Sequence, residues 1–278
     1  MVLVIIFCVV LGAVLGSFSC CQAWRIRYKV EKKGELGKRS VCLSCGKKLR
    51  WYENMPIVSW VLQRGKCRKC GKKIGTAEIM SEVLGGVFGG MVGVKFLDKI
   101  MTGELGDGIT KLLFYGNTAV LGTAELWLMI TEILLIVVIF TTMGIIAIYD
   151  AKWGEMPAKL LWVTVGLGVV FAGIGVYQGN SLFDLGISVL LLAGTYYILY
   201  KVSREKWVGG GDWILCLSIA LVLGEPLLAL VELSLANFLG MIVMLPRKKR
   251  GKMIPMGPFF VVAGVLIFSF SDLLINMI

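Results

Sequence analysis

The sequence predicts an all-α polytopic membrane protein. It has about eight transmembrane helices and a small cytoplasmic four-cysteine, zinc-binding insertion between the first and second. Three observations carry this expectation. Mean hydropathy is +0.82, and 57% of the 278 residues are hydrophobic, a balance that no soluble domain needs. Apolar runs of about 20 residues, the length required to span a bilayer core, recur along the chain. The one long polar stretch, residues 23–76, contains two C-x-x-C pairs.

Taken in order, the apolar runs cover residues 2–22, 77–97, 126–149, 158–177, 183–202, 212–224, 226–245 and 258–277. The first has no basic residue before it and no small-residue cleavage site after it, so it reads as a retained helix and not a signal peptide. The sixth is the shortest. The resulting division is a first transmembrane helix at 1–22, an insertion at 23–76 and a membrane core at 77–278.

Charge sets the expected topology. Between Arg25 and Lys73 there are sixteen Lys or Arg against three acids, Glu31, Glu35 and Glu53. Lys201, Arg204 and Lys206 precede the sixth run, and Arg247, Lys248, Lys249, Arg250 and Lys252 follow the seventh. The loop after the second run instead carries Asp98, Glu104, Asp107 and Glu125 against Lys99 and Lys111. Basic loops stay in the cytoplasm, which places 23–76, 150–157, 203–211 and 246–257 inside and both termini outside. The net charge of +11 is then a set of topology anchors that also meet membrane lipid headgroups. No basic helix interleaved with stacking aromatics suggests nucleic acid as a partner.

In the insertion, Cys42-Leu43-Ser44-Cys45 and Cys67-Arg68-Lys69-Cys70 are separated by 21 residues, and Gly-Lys follows each. Such knuckles turn backbone amides toward thiolates, and two of them supply four ligands for a closed, structural zinc site. A disulfide pairing is disfavoured by a reducing cytoplasm. A redox C-x-x-C would need a thioredoxin-like βαβ context that this stretch lacks. Cys8, Cys20, Cys21 and Cys216 fall in apolar runs and read as packing residues.

The chain contains no histidine. That excludes a Ser-His-Asp triad, a Cys-His dyad and a His-ligated catalytic zinc. Two aspartates stand out instead. Asp150 ends the third apolar run, and Asp212 closes Gly209-Gly210-Gly211-Asp212 at the start of the sixth. Carboxylates at a membrane edge are costly and therefore functional candidates. Both fall on the cytoplasmic side. Two neighbouring carboxyls share a proton, giving a base for water and an acid for a leaving amide nitrogen. Gly209 and Gly211 would let a substrate backbone approach and permit a bend that turns Asp212 inward. Other readings stay open on residue types alone. Asp212 could simply cap a helix, and a proton- or ion-coupled transporter also uses intramembrane carboxylates. Asp107, in Gly106-Asp107-Gly108, reads as an outside turn.

The order of these motifs resembles the prepilin peptidases (type IV leader peptidases), intramembrane aspartyl proteases of the Gly-x-Gly-Asp type. The likeness runs through Gly16-Ser17-Phe18 and Arg25, then Asn54-Met55-Pro56-Ile57-Val58-Ser59-Trp60 and Arg64-Gly65-Lys66-Cys67 between the cysteine pairs. Glu82 follows at the opening of the second membrane segment. Asp150 with Met156-Pro157, Gly209-Gly210-Gly211-Asp212, and Ile254-Pro255-Met256-Gly257-Pro258-Phe259 complete the series.

The resemblance implies that Asp150 and Asp212 are catalytic and that the substrate is a prepilin or pseudopilin precursor. A short basic leader would be removed at the cytoplasmic boundary of a bacterial inner membrane. It also implies N-methylation of the new N-terminus from S-adenosylmethionine; Glu82 could neutralise the sulfonium or orient the new amine there, or equally pair with Arg25 or a neighbouring lysine. Three departures stand out: Trp213-Ile214 after the second aspartate, Ala158 after the proline, and Ala77-Glu78-Ile79 before Glu82. None removes a carboxylate. The rival classes are a carboxylate-gated transporter and a zinc-ribbon membrane scaffold without catalysis.

Overall fold

A computed structural model describes residues 1–31, 39–101, 123–244 and 255–276. Their regular structure is helical, without strands; two isolated antiparallel bridges, Val41 with Lys48 and Lys66 with Lys73, are the only β pairings among them. The helices are α1 (Val2–Val30), α2 (Val58–Leu62), α3 (Thr76–Met101), α4 (Thr123–Trp153) and α5 (Ala158–Tyr177), followed by α6 (Leu182–Ser203), α7 (Gly210–Leu223), α8 (Pro226–Met244) and α9 (Gly257–Asn276). Seven of them, α1, α3, α4, α5, α6, α8 and α9, are long and apolar enough to cross a membrane. The eighth apolar segment, α7, has only 14 residues. This is a multi-pass membrane protein. The acidic loop containing Asp107 and the basic run at 247–252 lie outside the described residues.

The chain forms two compact units, Met1–Val94 and Lys95–Ile278. In the first, α1 and the start of α3 pack through small residues. A Cβ added at Gly12 would lie 2.1 Å from the Gly85 carbonyl oxygen, and one at Gly16 would lie 2.1 Å from that of Ser81. Gly12 and Gly16, and Gly85, Gly89 and Gly93, recur at four-residue spacing. This is the small-xxx-small stripe that lets membrane helices approach backbone to backbone. Helix α1 also runs eight residues beyond the apolar stretch that predicts it. Arg27 and Lys29 in its last turn oppose the negative end of the helix dipole.

In the second unit α7 is the hub. It packs against α5, α9 and the middle of α6, and Leu215, Cys216 and Ala220 are fully buried. A helix that is apolar all round belongs inside a bundle. At 1.5 Å per residue it spans about 21 Å, short of the roughly 30 Å hydrocarbon core, so its polar start need not reach the bilayer surface. Helix α6 contains a π-helical turn at Leu190–Gly194 where it meets α7 and α8. Buried Thr164 of α5 donates to Thr142 of α4 at 3.1 Å, a polar link between the two.

Helix ends follow from sequence punctuation. Gly154 at φ +67° receives the chain after α4, and its N–H bonds the Asp150 carbonyl at 2.7 Å. Pro157 then precedes α5 in an extended conformation. Ser181 caps α6 by accepting the Asp184 N–H at 3.2 Å. Pro226 opens α8, where its missing N–H costs nothing.

Candidate active site

Asp150 sits in the last turn of α4 and Asp212 is the third residue of α7. Only 4% and 7% of their surfaces are exposed, so neither behaves as an ordinary surface carboxylate. A carboxylate at a helix C-terminus faces an unfavourable dipole. Asp150 offsets this by accepting the N–H of Gly257, the first residue of α9, at 2.9 Å. Asp212 reaches back to the N–H of Gly209 at 2.8 Å. Each aspartate therefore takes a backbone donor at the positive end of a helix. Asp212 does serve as a cap, as one reading of the sequence allowed. That cap occupies one oxygen of a carboxylate that is almost entirely buried.

The two carboxylates are electrostatic neighbours, with Asp212 acting on Asp150. Met156, in the α4–α5 connection, lies against both of their supports. A Cβ at Gly211 would come within 2.8 Å of the Met156 sulfur and 2.9 Å of its Cβ. One at Gly257 would come within 3.0 Å of Met156 Cε and 2.8 Å of Asp150 Oδ2. The close approach, not backbone freedom, is what demands glycine at these two positions. Gly211→Ala should therefore push Met156 and the start of α7 apart. Precursor cleavage should fall roughly tenfold to a hundredfold while the protein still accumulates in membranes, a cost typical of angstrom-scale misplacement of a reacting group. Full activity would show that the contact does not position Asp212.

Glu232 of α8 is a further carboxylate in this unit. It is fully buried, and both oxygens lack a hydrogen-bond partner among the described residues. It acts electrostatically on Cys216, one turn beyond Asp212, and on Tyr196, whose hydroxyl accepts from Asn237 at 2.8 Å. In the sequence Glu232 is marked only by interrupting the seventh apolar run. The rule that singles out intramembrane aspartates applies equally to it.

The four insertion cysteines converge. The sulfurs of Cys42, Cys45, Cys67 and Cys70 all lie within 4.8 Å of one another. A tetrahedral site with sulfur about 2.3 Å from zinc would need sulfurs about 3.8 Å apart, and Cys42 and Cys70 are at 4.0 Å. The cluster can hold one metal ion. Both knuckles fold alike: the N–H groups of Cys42 and Gly46 bond Lys47 and Cys42 carbonyls at 2.9 Å, and Cys67 and Gly71 repeat the pattern with Lys72 and Cys67. The amides of Cys70 and Lys69 face the Cys67 thiol and lower it to about 6. The Lys72 amide lowers Cys70, but burial and the three neighbouring thiols override it and raise that group to about 11. A cation bound among the four sulfurs would displace their protons.

Glu53 braces the first knuckle. Its carboxylate accepts the Arg50 N–H at 3.0 Å and the Lys47 ammonium at 2.6 Å. These contacts, the Arg50 amide foremost, hold it below the usual carboxylate range. A lowered pKa contributes stability above the unfolded value of about 4.3, and that contribution disappears as pH falls through the folded value. Glu53→Gln should therefore increase hydrogen exchange over residues 47–53 at pH 7, and the difference from wild type should vanish in strong acid. A difference that persists there would assign Glu53 a packing role alone.

Glu82, near the start of α3, accepts the N–H of Ile57 through Oε2 at 2.7 Å. It is thus tied to the insertion within the first unit.

Fold and site together define a polytopic membrane protein with a buried carboxylate pair in its helical core and a four-cysteine insertion near its start. Comparison with known proteins extends this. Residues 10–96 match the Bacterial Peptidase A24 N-terminal domain, and residues 135–245 match the Type IV leader peptidase family. The chain is 26% identical to the prepilin leader peptidase/N-methyltransferase of Dichelobacter nodosus, over 84% of this chain and 71% of that protein. It is 24% identical to the protein of that name from Pseudomonas aeruginosa, over 95% and 89%, and 28% identical to that of Neisseria gonorrhoeae, over 84% and 71%. No solved structure matches. The chain belongs to the type IV prepilin leader peptidase family and is a membrane protease.

Proposed function

We propose that this protein removes the basic leader from type IV prepilin or pseudopilin precursors, at the cytoplasmic face of a bacterial inner membrane, with Asp150 and Asp212 as its catalytic dyad. The observation that carries the reading is the placement of two buried aspartates, each held by a glycine N–H at a helix start, with Met156 packed against both Gly211 and Gly257 and Asp212 acting electrostatically on Asp150. One carboxylate takes a proton from water as its oxygen bonds the scissile carbonyl carbon. The other carboxyl gives a proton to the amide nitrogen as the C–N bond breaks. Gly211 makes room for Met156 and Gly209 for the Asp212 carboxylate, which keeps the start of α7 closely packed around the dyad.

The basic loops support the orientation. A precursor whose leader is positively charged and whose next segment is an apolar helix would leave its scissile bond at this level of the membrane. Residues 23–76 act as a structural zinc module held by Cys42, Cys45, Cys67 and Cys70; four thiolates leave no open position for chemistry.

The names of the relatives also support N-methylation of the new N-terminus. S-adenosylmethionine would supply an electrophilic methyl group on a sulfonium cation. Glu82, a half-buried carboxylate near the start of α3, is tied through Oε2 to the Ile57 N–H of the insertion that would host this chemistry. Membrane lipids are partners throughout, and nucleic acid is not.

The direct test incubates purified protein with a pilin precursor and the methyl donor and follows intact mass. Loss of the leader, then gain of one methyl group, is expected. An uncut precursor, with proton-coupled flux in reconstituted vesicles, would replace this reading with transport.

A further inference from the structure

Ile57 occupies a conformation that β-branched residues almost never adopt, with φ +62° and ψ −54°. Pro56, Ile57 and Val58 form a tight three-residue turn in which the Val58 N–H bonds the Pro56 carbonyl at 2.6 Å. Helix α2 starts directly from it: Ser59 N–H bonds the Met55 carbonyl at 3.0 Å, and Val61 N–H bonds that of Ile57 at 3.1 Å. Strain of this kind persists only where its surroundings enforce it, and it gathers at functional sites.

The Ile57 N–H is itself taken by the Glu82 carboxylate at 2.7 Å. Glu82 cannot easily yield. Its backbone lies in the glycine-packed stretch of α1 and α3, where a Cβ on Gly16 would come within 3.2 Å of Glu82 Cα. The rigid helix pair thus grips the turn from which α2 grows. Helix α2 is too short to hold itself, and its Val58, Val61 and Leu62 are exposed.

We propose that Glu82 is a positioning residue whose carboxylate holds the strained turn at Ile57, and through it sets α2 for methyl transfer, without itself touching substrate or cofactor. This rests on the reading that the protein methylates its product. The two can be tested apart, because the turn is observable without any methyl donor.

Full-length wild type, Glu82→Gln, Glu82→Ala and Glu82→Ala/Ile57→Gly would each be measured for precursor cleavage, N-methylation and hydrogen exchange at the amides of Val58, Ser59 and Val61. A glutamine oxygen still accepts the Ile57 N–H, so Glu82→Gln should keep methylation within about threefold. Glu82→Ala should lose about tenfold and lose amide protection. Glycine enters positive φ without penalty, so Ile57→Gly should restore both in the Ala background. Cleavage should be unchanged throughout. If Glu82→Gln fails as badly as Glu82→Ala while protection survives, Glu82 is a direct charge contact and the proposal is wrong. If Ile57→Gly restores nothing, strain at the turn is not what Glu82 controls. If wild type transfers no methyl group, the methylation reading fails. In that case unchanged exchange in Glu82→Ala overturns the positioning role, and lost protection regained with Ile57→Gly upholds it.

Discussion

Replacing Asp150 or Asp212 by Asn should reduce leader cleavage by several orders of magnitude while leaving the fold intact. The substitution is a fair test because the asparagine side-chain oxygen can still accept the N–H of Gly257 or Gly209. A residue that only caps would therefore lose nothing measurable, and even complete loss of a cap costs about 1 kcal/mol. Removing a general acid or base raises the barrier itself, at a factor of ten for each 1.36 kcal/mol or so. The measurement is processing of a precursor in membranes containing each variant at wild-type abundance. Substantial cleavage by either variant would refute the assignment.

The second large effect concerns the insertion. Detergent-purified protein should contain one zinc per chain, and Ser at Cys42, Cys45, Cys67 or Cys70 should remove most of it. A polar stretch of some fifty residues builds little core of its own, and structural zinc contributes apparent free energies of about 10–16 kcal/mol in comparable small domains. Each Ser variant should therefore expose the remaining thiols to alkylation. Peptide hydrolysis should need no metal chemically, so any loss of cleavage should track unfolding of the insertion. Absence of zinc from wild type, with all four thiols freely alkylated in the native state, would overturn the metal site.

These effects are legible in the sequence to different degrees. The spans were, because twenty apolar residues ended by Gly, Pro or basic residues leave few alternatives; the shortness of α7 could be seen, but its central position could not. Nothing local indicates that a helix too short to span will be the one surrounded on all sides. The cysteine pairs were legible from spacing, and their convergence follows from two copies of one knuckle. Both aspartates were visible as membrane-edge charges.

What supports them was not visible. Met156 and Gly257 both lie in runs that carry the resemblance, but Gly257 is 107 residues from Asp150, and nothing in either run shows that Met156 packs against Gly211 and Gly257. Glu53 looked like one of three acids in a basic stretch, yet it is the brace of the first knuckle. Glu82 was singled out by resemblance, and its partner, an amide in a strained turn 25 residues earlier, leaves no trace in residue type. Contacts between a side chain and a distant backbone group are the part of a site that a sequence hides best.

The most direct test of the central claim is a double-mutant cycle on the two aspartates. Initial cleavage rates of one precursor would be measured for wild type, Asp150→Asn, Asp212→Asn and the double variant. Groups that share one proton-transfer step act as a unit, and removing the second after the first costs little more. The account requires the double variant to be no slower than the slower single variant. Two modest losses that multiply in the double variant would mean that the aspartates act independently, and would contradict the dyad.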